Sequence, residues 1–171
     1  MPDTGSAFID ASRTYLREEY LPKIAYCLDQ LDEDDIWWRP NDASNSIGNL
    51  ILHLAGNARQ WVVHGIGGAS DVRDRAREFD AGETQTKAEL LQHLRSTLKS
   101  VDAALALLNP DTLHETRTIQ GLERTVLEAL YHVVEHFAMH TGQIVYITKL
   151  RTGADLGFYS VDEDGDVTTH W

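Results

Sequence analysis

The chain has 171 residues, enough for one domain with a sizeable core and no staples. Its 42% apolar and 25% charged residues exclude a disordered chain. A formal charge of −12, from 15 basic and 27 acidic residues with no basic cluster, argues against nucleic acid or an anionic membrane as partner.

The N-terminus "MPDTGSAFIDASRTY" lacks the basic start and apolar stretch of a signal peptide, and no run reaches the ~18 apolar residues of a membrane span. Cys27 is the single cysteine, so no intrachain disulfide forms. Together these point to a cytoplasmic protein. Cys27 lies in "KIAYCLDQL", where a small apolar helix residue is the simpler reading than a thiol nucleophile.

The first helical periodicity runs from about Ser6 to Leu31, and Pro22 inside it predicts a kink or a split. "DEDDIWWRPNDASNS" reads as a loop that permits a helical turn at its start. A second helix begins after Ser46 as N-cap and runs to His64, stopped by "GIGG". The charged stretch 69–85 is a connection of undefined structure. Thr86 and Glu89 form a capping box that opens a third helix, which ends before Pro110. "LHETRTIQGLERT" permits a small hairpin near 115–124. A second capping box, Thr125 and Glu128, opens a fourth helix that ends at Gly153. The tail from 153 to 171 carries turn signals without periodicity and is expected to be irregular.

The expected fold is therefore all-α, a four-helix bundle forming one domain over 1–171, with its core at about 6–152. Connections of about 15–25 residues exceed the usual helix–helix link and suit a cover over one end of the bundle.

Histidines decide what the bundle could do. At about 100° per residue, Val126, Leu130, Val133, Phe137, Ile144 and Ile147 form the inner stripe of the fourth helix. His140 falls within that stripe and His136 on its flank, while His132 sits toward the boundary with solvent and Glu135 faces away. A buried imidazole nitrogen without a partner costs about 1–3 kcal/mol. Two imidazoles four residues apart can instead converge on one ion. "HVVEH" matches the inverted zinc-protease pattern, but the rotation of Glu135 and His132 argues against it.

A third ligand has to come from another helix. In the second helix Asn49, His53, Asn57, Gln60 and His64 form a neutral polar stripe beside the apolar face, which suits a pocket wall. His53, set among leucines, is the better candidate; His64 adjoins the exposed "GIGG". His93, His114 and His170 read as surface or structural residues.

"HVVEHFAMHTGQI" and "NSIGNLILHLAGNARQW" resemble the last and second helices of the DinB/YfiT-like superfamily, and the likeness covers about residues 6–152. The resemblance implies a four-helix bundle with a divalent metal held by His53, His136 and His140, and dimerisation through helix faces. Relatives in the superfamily include thiol-dependent transferases and a maleylpyruvate isomerase, and many members have no assigned reaction. The expected cofactor is a divalent ion, Zn or Ni first, with Fe, Co or Mn compatible with imidazole. Asn57 and Gln60 are candidate pocket residues and Gln143 a candidate partner of a ligand. No general base is evident, although a loop acid could reach the site.

Three functions follow. One is a metal-dependent enzyme on a small molecule, a thiol S-transferase using a low-molecular-weight thiol or a hydrolase. Another is a non-catalytic metal- or ligand-binding bundle. The third is a structural bundle with hydrogen-bonded core histidines.

Overall fold

A computed structural model describes residues 3–80 and 85–171. Four rods form the bundle: α1 and α2 joined end to end, α4 with its extension, α6, and α7.

The first rod runs from α1 (Thr4–Thr14) through a π-helical stretch, Tyr15–Tyr20, into α2 (Leu21–Asp29). Pro22 was expected to kink or split this helix, and the widened turn is how the chain absorbs it. Proline has no N–H and its ring crowds the carbonyl four residues back, at Glu18. In the wide turn Leu21 N–H reaches Leu16 O, and the Glu18 carbonyl accepts from the Trp171 indole at 3.2 Å. A short helix, α3 (Glu33–Trp37), follows with its own capping box.

α4 (Ile47–Ala58) starts at Ser46, whose side chain accepts from Asn49 N–H. It continues as a second π-helical stretch, Arg59–Ile66, and stops at Gly67. The connection after it contains α5 (Arg75–Asp80). α6 (Lys87–Ala106) opens at Thr86 and α7 (Val126–Thr152) at Thr125, both with the expected boxes. Gly153 ends α7 with φ 67°, a left-handed position that glycine adopts without penalty.

Between α6 and α7 lie a single turn of 3-10 helix, Pro110–His114, and an antiparallel hairpin of β1 (Thr116–Ile119) and β2 (Leu122–Thr125). The hairpin closes at Gln120 and Gly121, both at positive φ. Ile119 is fully buried and anchors it against the extension of α4.

α4 packs on both α6 and α7, and α2 packs on α7. Leu50, Leu54, Leu94, Leu98, Leu130 and Phe137 belong to the shared core, each at most 2% exposed. Burying a Leu or Phe side chain contributes about 1.5–3 kcal/mol, so this seam carries the bundle's stability.

The tail departs from the irregular expectation. β3 (Tyr159–Val161) and β4 (Val167–Thr169) form a second antiparallel hairpin. Three-residue strands are too short to show alternation, which hid them in the sequence. Asp162 Oδ1 accepts from the backbone N–H groups of Asp164 and Asp166 and shapes the turn. The Lys23 ammonium sits 3.7 Å from the Trp171 ring centroid and holds the tail to the first rod. Among the described residues no helix is long and apolar enough to cross a membrane.

Candidate metal centre

The centre is built where α4 crosses α7. On α4 the spacing of Leu50, Leu54 and Ala58 turns one face to the core, and His53 is carried on the edge of that face. On α7 Val133, Phe137 and Ile144 do the same for His136 and His140. His53 and His140 are buried and His136 is half-buried.

These three residues bring one ring nitrogen each to within 4.8 Å of one another. The His53 and His136 Nε2 atoms are 2.9 Å apart. Ring centroids are separated by 4.8 Å for His53–His136, 5.2 Å for His53–His140 and 4.4 Å for His136–His140.

The donor set fits a divalent cation. His140 Nδ1 lies 2.6 Å from Gln143 Oε1, an acceptor, which places the proton on Nδ1 and leaves Nε2 with its lone pair. That Nε2 is buried with no hydrogen-bond partner among the described residues, a cost of about 1–3 kcal/mol unless something else binds it. Burial also opposes protonation. It lowers the His136 pKa to about 3, helped by the neighbouring His140 and His53, and it lowers that of His140 against the raising effect of Gln143. Neutral imidazole is the form that binds metal.

The back of the centre comes from the charged connection. Glu78 on α5 is buried, and its Oε2 accepts from His53 Nδ1 at 2.9 Å. Arg73 donates from Nε to Glu78 Oε1 at 2.7 Å and from Nη2 to Oε2 at 2.8 Å. Burial raises the Glu78 pKa, but the bonds from Arg73 and His53 outweigh it and the net shift is downward, so the carboxylate stays ionised. Arg73 Nη1 donates to Gln60 Oε1 at 2.9 Å, and Gln60 Nε2 donates to Asp71 Oδ2 at 2.7 Å. Gln120 of the first hairpin also donates to Gln60 Oε1.

A cleft of about 490 Å³ opens beside the histidines. His53, His136, Asn57, Trp61 and His132 form its inner wall, and Arg75, Arg124 and Tyr131 stand among its outer residues. Asn57 Nδ2 lies 3.2 Å from His132 Nε2, and its Oδ1 is buried without a partner among the described residues. The rotation argument placed His132 at the boundary with solvent. It is half-buried, in keeping with that boundary, with its ring 4.2 Å from that of Trp61 on the α4 extension. It lines the cleft but stays outside the three-nitrogen group. Glu135 is exposed, as expected, and reaches the cleft rim.

Gln60 does not line this cleft; it braces Arg73. Gln143 contacts His140 directly. Cys27 is fully buried and its thiol is pushed up to about 11 by burial, which removes it as a nucleophile. His64 Nδ1 is turned to Ala69 O at 2.5 Å, away from the centre. Sequence reasoning missed Glu78 and Arg73. They sit in a stretch without clear periodicity, and their only signal was local charge.

The comparisons with known proteins agree with this architecture. A family of proteins of unknown function, DUF1572, matches residues 3–164. A search of curated proteins found no match. Among solved structures, a conserved protein from Enterococcus faecalis superposes with a TM-score of 0.68 at 16% identity, covering 85% of this chain and 97% of that one. A DinB-like protein from Bacillus cereus gives 0.66 at 15% identity, covering 86% and 93%. A mycothiol-dependent maleylpyruvate isomerase, crystallised as a histidine-to-alanine mutant, gives 0.61 at 18% identity, covering 93% and 78%. At these identities the likeness is one of fold. The chain belongs to the DUF1572 family and has the helical-bundle fold of the DinB/YfiT-like superfamily.

Proposed function

We propose that the protein binds a divalent metal ion through His53, His136 and His140 and acts as a metal-dependent enzyme on a small molecule. The observation that carries this reading is the buried Nε2 of His140, without a partner among the described residues and set beside two further imidazole nitrogens in one 4.8 Å group. Three neutral imidazoles suit zinc or nickel, and iron, cobalt or manganese are compatible. A bound ion would supply Lewis acidity toward a water or a thiol.

The chain's own residues would do the rest. Gln143 and Glu78 hold the protons of His140 and His53 on Nδ1, so that both Nε2 lone pairs face the centre. Asn57, Trp61 and His132 form a cleft wall with hydrogen-bonding capacity. A thiol S-transferase taking a low-molecular-weight thiol is supported by the mycothiol-dependent enzyme among the structural neighbours. A hydrolase is the other reaction the same centre permits. In either case the protein would work in the cytoplasm, and Asn57 would contact substrate.

A non-catalytic metal-binding bundle is the second reading. It is favoured by the engagement of the buried carboxylate that touches the histidines: Glu78 is held by Arg73 and His53, and Glu135 reaches only the rim of the cleft. A homodimer is supported by the exposed apolar side chains of α7, Tyr131, Met139, Tyr146 and Leu150.

The test is metal analysis of untagged protein, followed by a screen of metal-loaded protein with thiol cosubstrates and hydrolysable esters. One equivalent of metal in wild type, lost in His53→Ala and His140→Ala, is expected. Stoichiometry near zero in all samples would refute the metal reading. Full metal content with no turnover in any assay would favour the binding bundle.

A further inference from the structure

We infer that Glu78 is a positioning residue for His53. From the charged connection it holds the His53 proton on Nδ1, so that Nε2 is presented to His136 and His140. Its consequence for metal affinity rests on the three-histidine reading above; the positioning itself does not.

Two groups approach His53 Nδ1, and they ask for opposite tautomers. Glu78 Oε2, an acceptor, is 2.9 Å away, and Arg73 Nη2, a donor, is 3.2 Å away. The conflict is resolved by Glu78. Arg73 Nη2 directs one of its two protons to Glu78 Oε2 at 2.8 Å, and its contact with Nδ1 is longer than that of the carboxylate, which would repel a bare nitrogen lone pair at 2.9 Å. The ionised carboxylate can only accept, and Nδ1 must therefore carry the proton. Free imidazole has no such constraint, and without Glu78 the nearest polar group to Nδ1 would be a donor. His53 would then expose an N–H where a lone pair is wanted.

The surroundings are shaped for this contact. Gly56 lies on α4 one turn after His53, and a Cβ there would stand 2.0 Å from Glu78 Oε1 and 3.1 Å from Arg73 Nε. Only glycine leaves room for the carboxylate to lie against the helix at His53. Arg73 is in turn held by Gln60 through Nη1, and Gln60 is tied to Asp71 and to Gln120 of the first hairpin. The Phe79 ring closes the other side of the His53 ring, with centroids 4.9 Å apart. Three segments distant in sequence thus converge on one proton.

The experiment uses full-length protein with 15N-labelled histidine, first metal-free and then titrated with zinc against a chromophoric chelator. Wild type is expected to show His53 as the Nδ1–H tautomer. Glu78→Ala is expected to convert it to Nε2–H, and Glu78→Gln to keep it largely Nδ1–H because the amide oxygen can still accept. Zinc affinity should fall about 10–100-fold in Glu78→Ala and less in Glu78→Gln. Arg73→Ala/Glu78→Ala removes both charges together and serves if the single variant unfolds; it should show a His53 tautomer no longer confined to Nδ1–H. Unchanged His53 tautomer in Glu78→Ala, or in the double variant if only that one folds, overturns the inference whatever the zinc affinity. A tautomer change in Glu78→Ala, together with a wild type that binds no zinc, would uphold the positioning and refute the metal reading.

Discussion

Gly56→Ala has a sign that depends on Glu78. In a helix interior alanine is ordinarily better than glycine by about 0.8–1 kcal/mol. At position 56 the new Cβ would meet Glu78 Oε1 at 2.0 Å and Glu78 Cδ at 2.9 Å. The oxygen would have to retreat by about 1 Å merely to reach the shortest contact that real Cβ atoms show. Arg73 Nε, 2.7 Å from that oxygen, cannot follow freely because it would itself lie 3.1 Å from the Cβ. Loss of one hydrogen bond to a charged, buried group costs about 1.5–3 kcal/mol. Subtracting the helix gain leaves Gly56→Ala destabilising by about 0.5–2 kcal/mol. In a Glu78→Ala background the obstacle is gone, and the same change should stabilise by up to ~1 kcal/mol. Urea unfolding of metal-free protein in both backgrounds, read as a double-mutant cycle, measures the coupling. The same ΔΔG in both backgrounds would refute the packing of Glu78 against α4.

Other consequences are open to direct measurement. Arg73→Ala leaves the buried Glu78 charge without its main partner and should lower stability by about 3 kcal/mol; a loss below 1 kcal/mol by urea unfolding would contradict a buried pair. The pKa of His136 is depressed when folded and near 6.5 when unfolded, so the unfolded state binds the extra proton between those values. Stability of metal-free protein should therefore fall as pH drops from 6.5 toward 3, by at most about 1.4 kcal/mol per pH unit from this group, reduced by its partial exposure. A flat urea midpoint from pH 6.5 to 4.5 would refute the burial of a neutral His136. Removing Trp171 should loosen the tail from the first rod without affecting metal content, visible as faster amide exchange at Tyr159–Val161 and no change in metal stoichiometry. Tyr146→Glu should reduce self-association measured by sedimentation, if α7 is the dimer face.

Much of the bundle was legible because helix caps and apolar stripes are local. Ser46, Thr86 and Thr125 each mark a helix start by a side chain bonded three residues on, and Gly153 marks a stop by its left-handed backbone. The pairing of His136 with His140 follows from the pitch of a single helix. His53 stood out by its place among leucines on the second helix, the resemblance implied the same residue, and the crossing of α4 over α7 brings the three rings together.

The rest required the folded chain. Glu78 is 25 residues from His53 in sequence and lies in a charged stretch with no periodic face, so nothing local distinguishes it from the acids around it. His132 lay at the boundary with solvent on its own helix, and its contact with the Trp61 ring depends on how α4's extension packs against α7. The path through Pro22 is also tertiary: proline announces that one backbone bond is missing, but whether the helix breaks or widens depends on what else satisfies the freed carbonyl, here an indole from the far end of the chain. Sequence by itself determined the four long helices and the faces of His136 and His140, since both are set by interactions within a few residues. The orientation of His53, the enclosure of the cleft and the docking of the tail were decided by tertiary structure, because each depends on polar groups that meet only when distant segments pack.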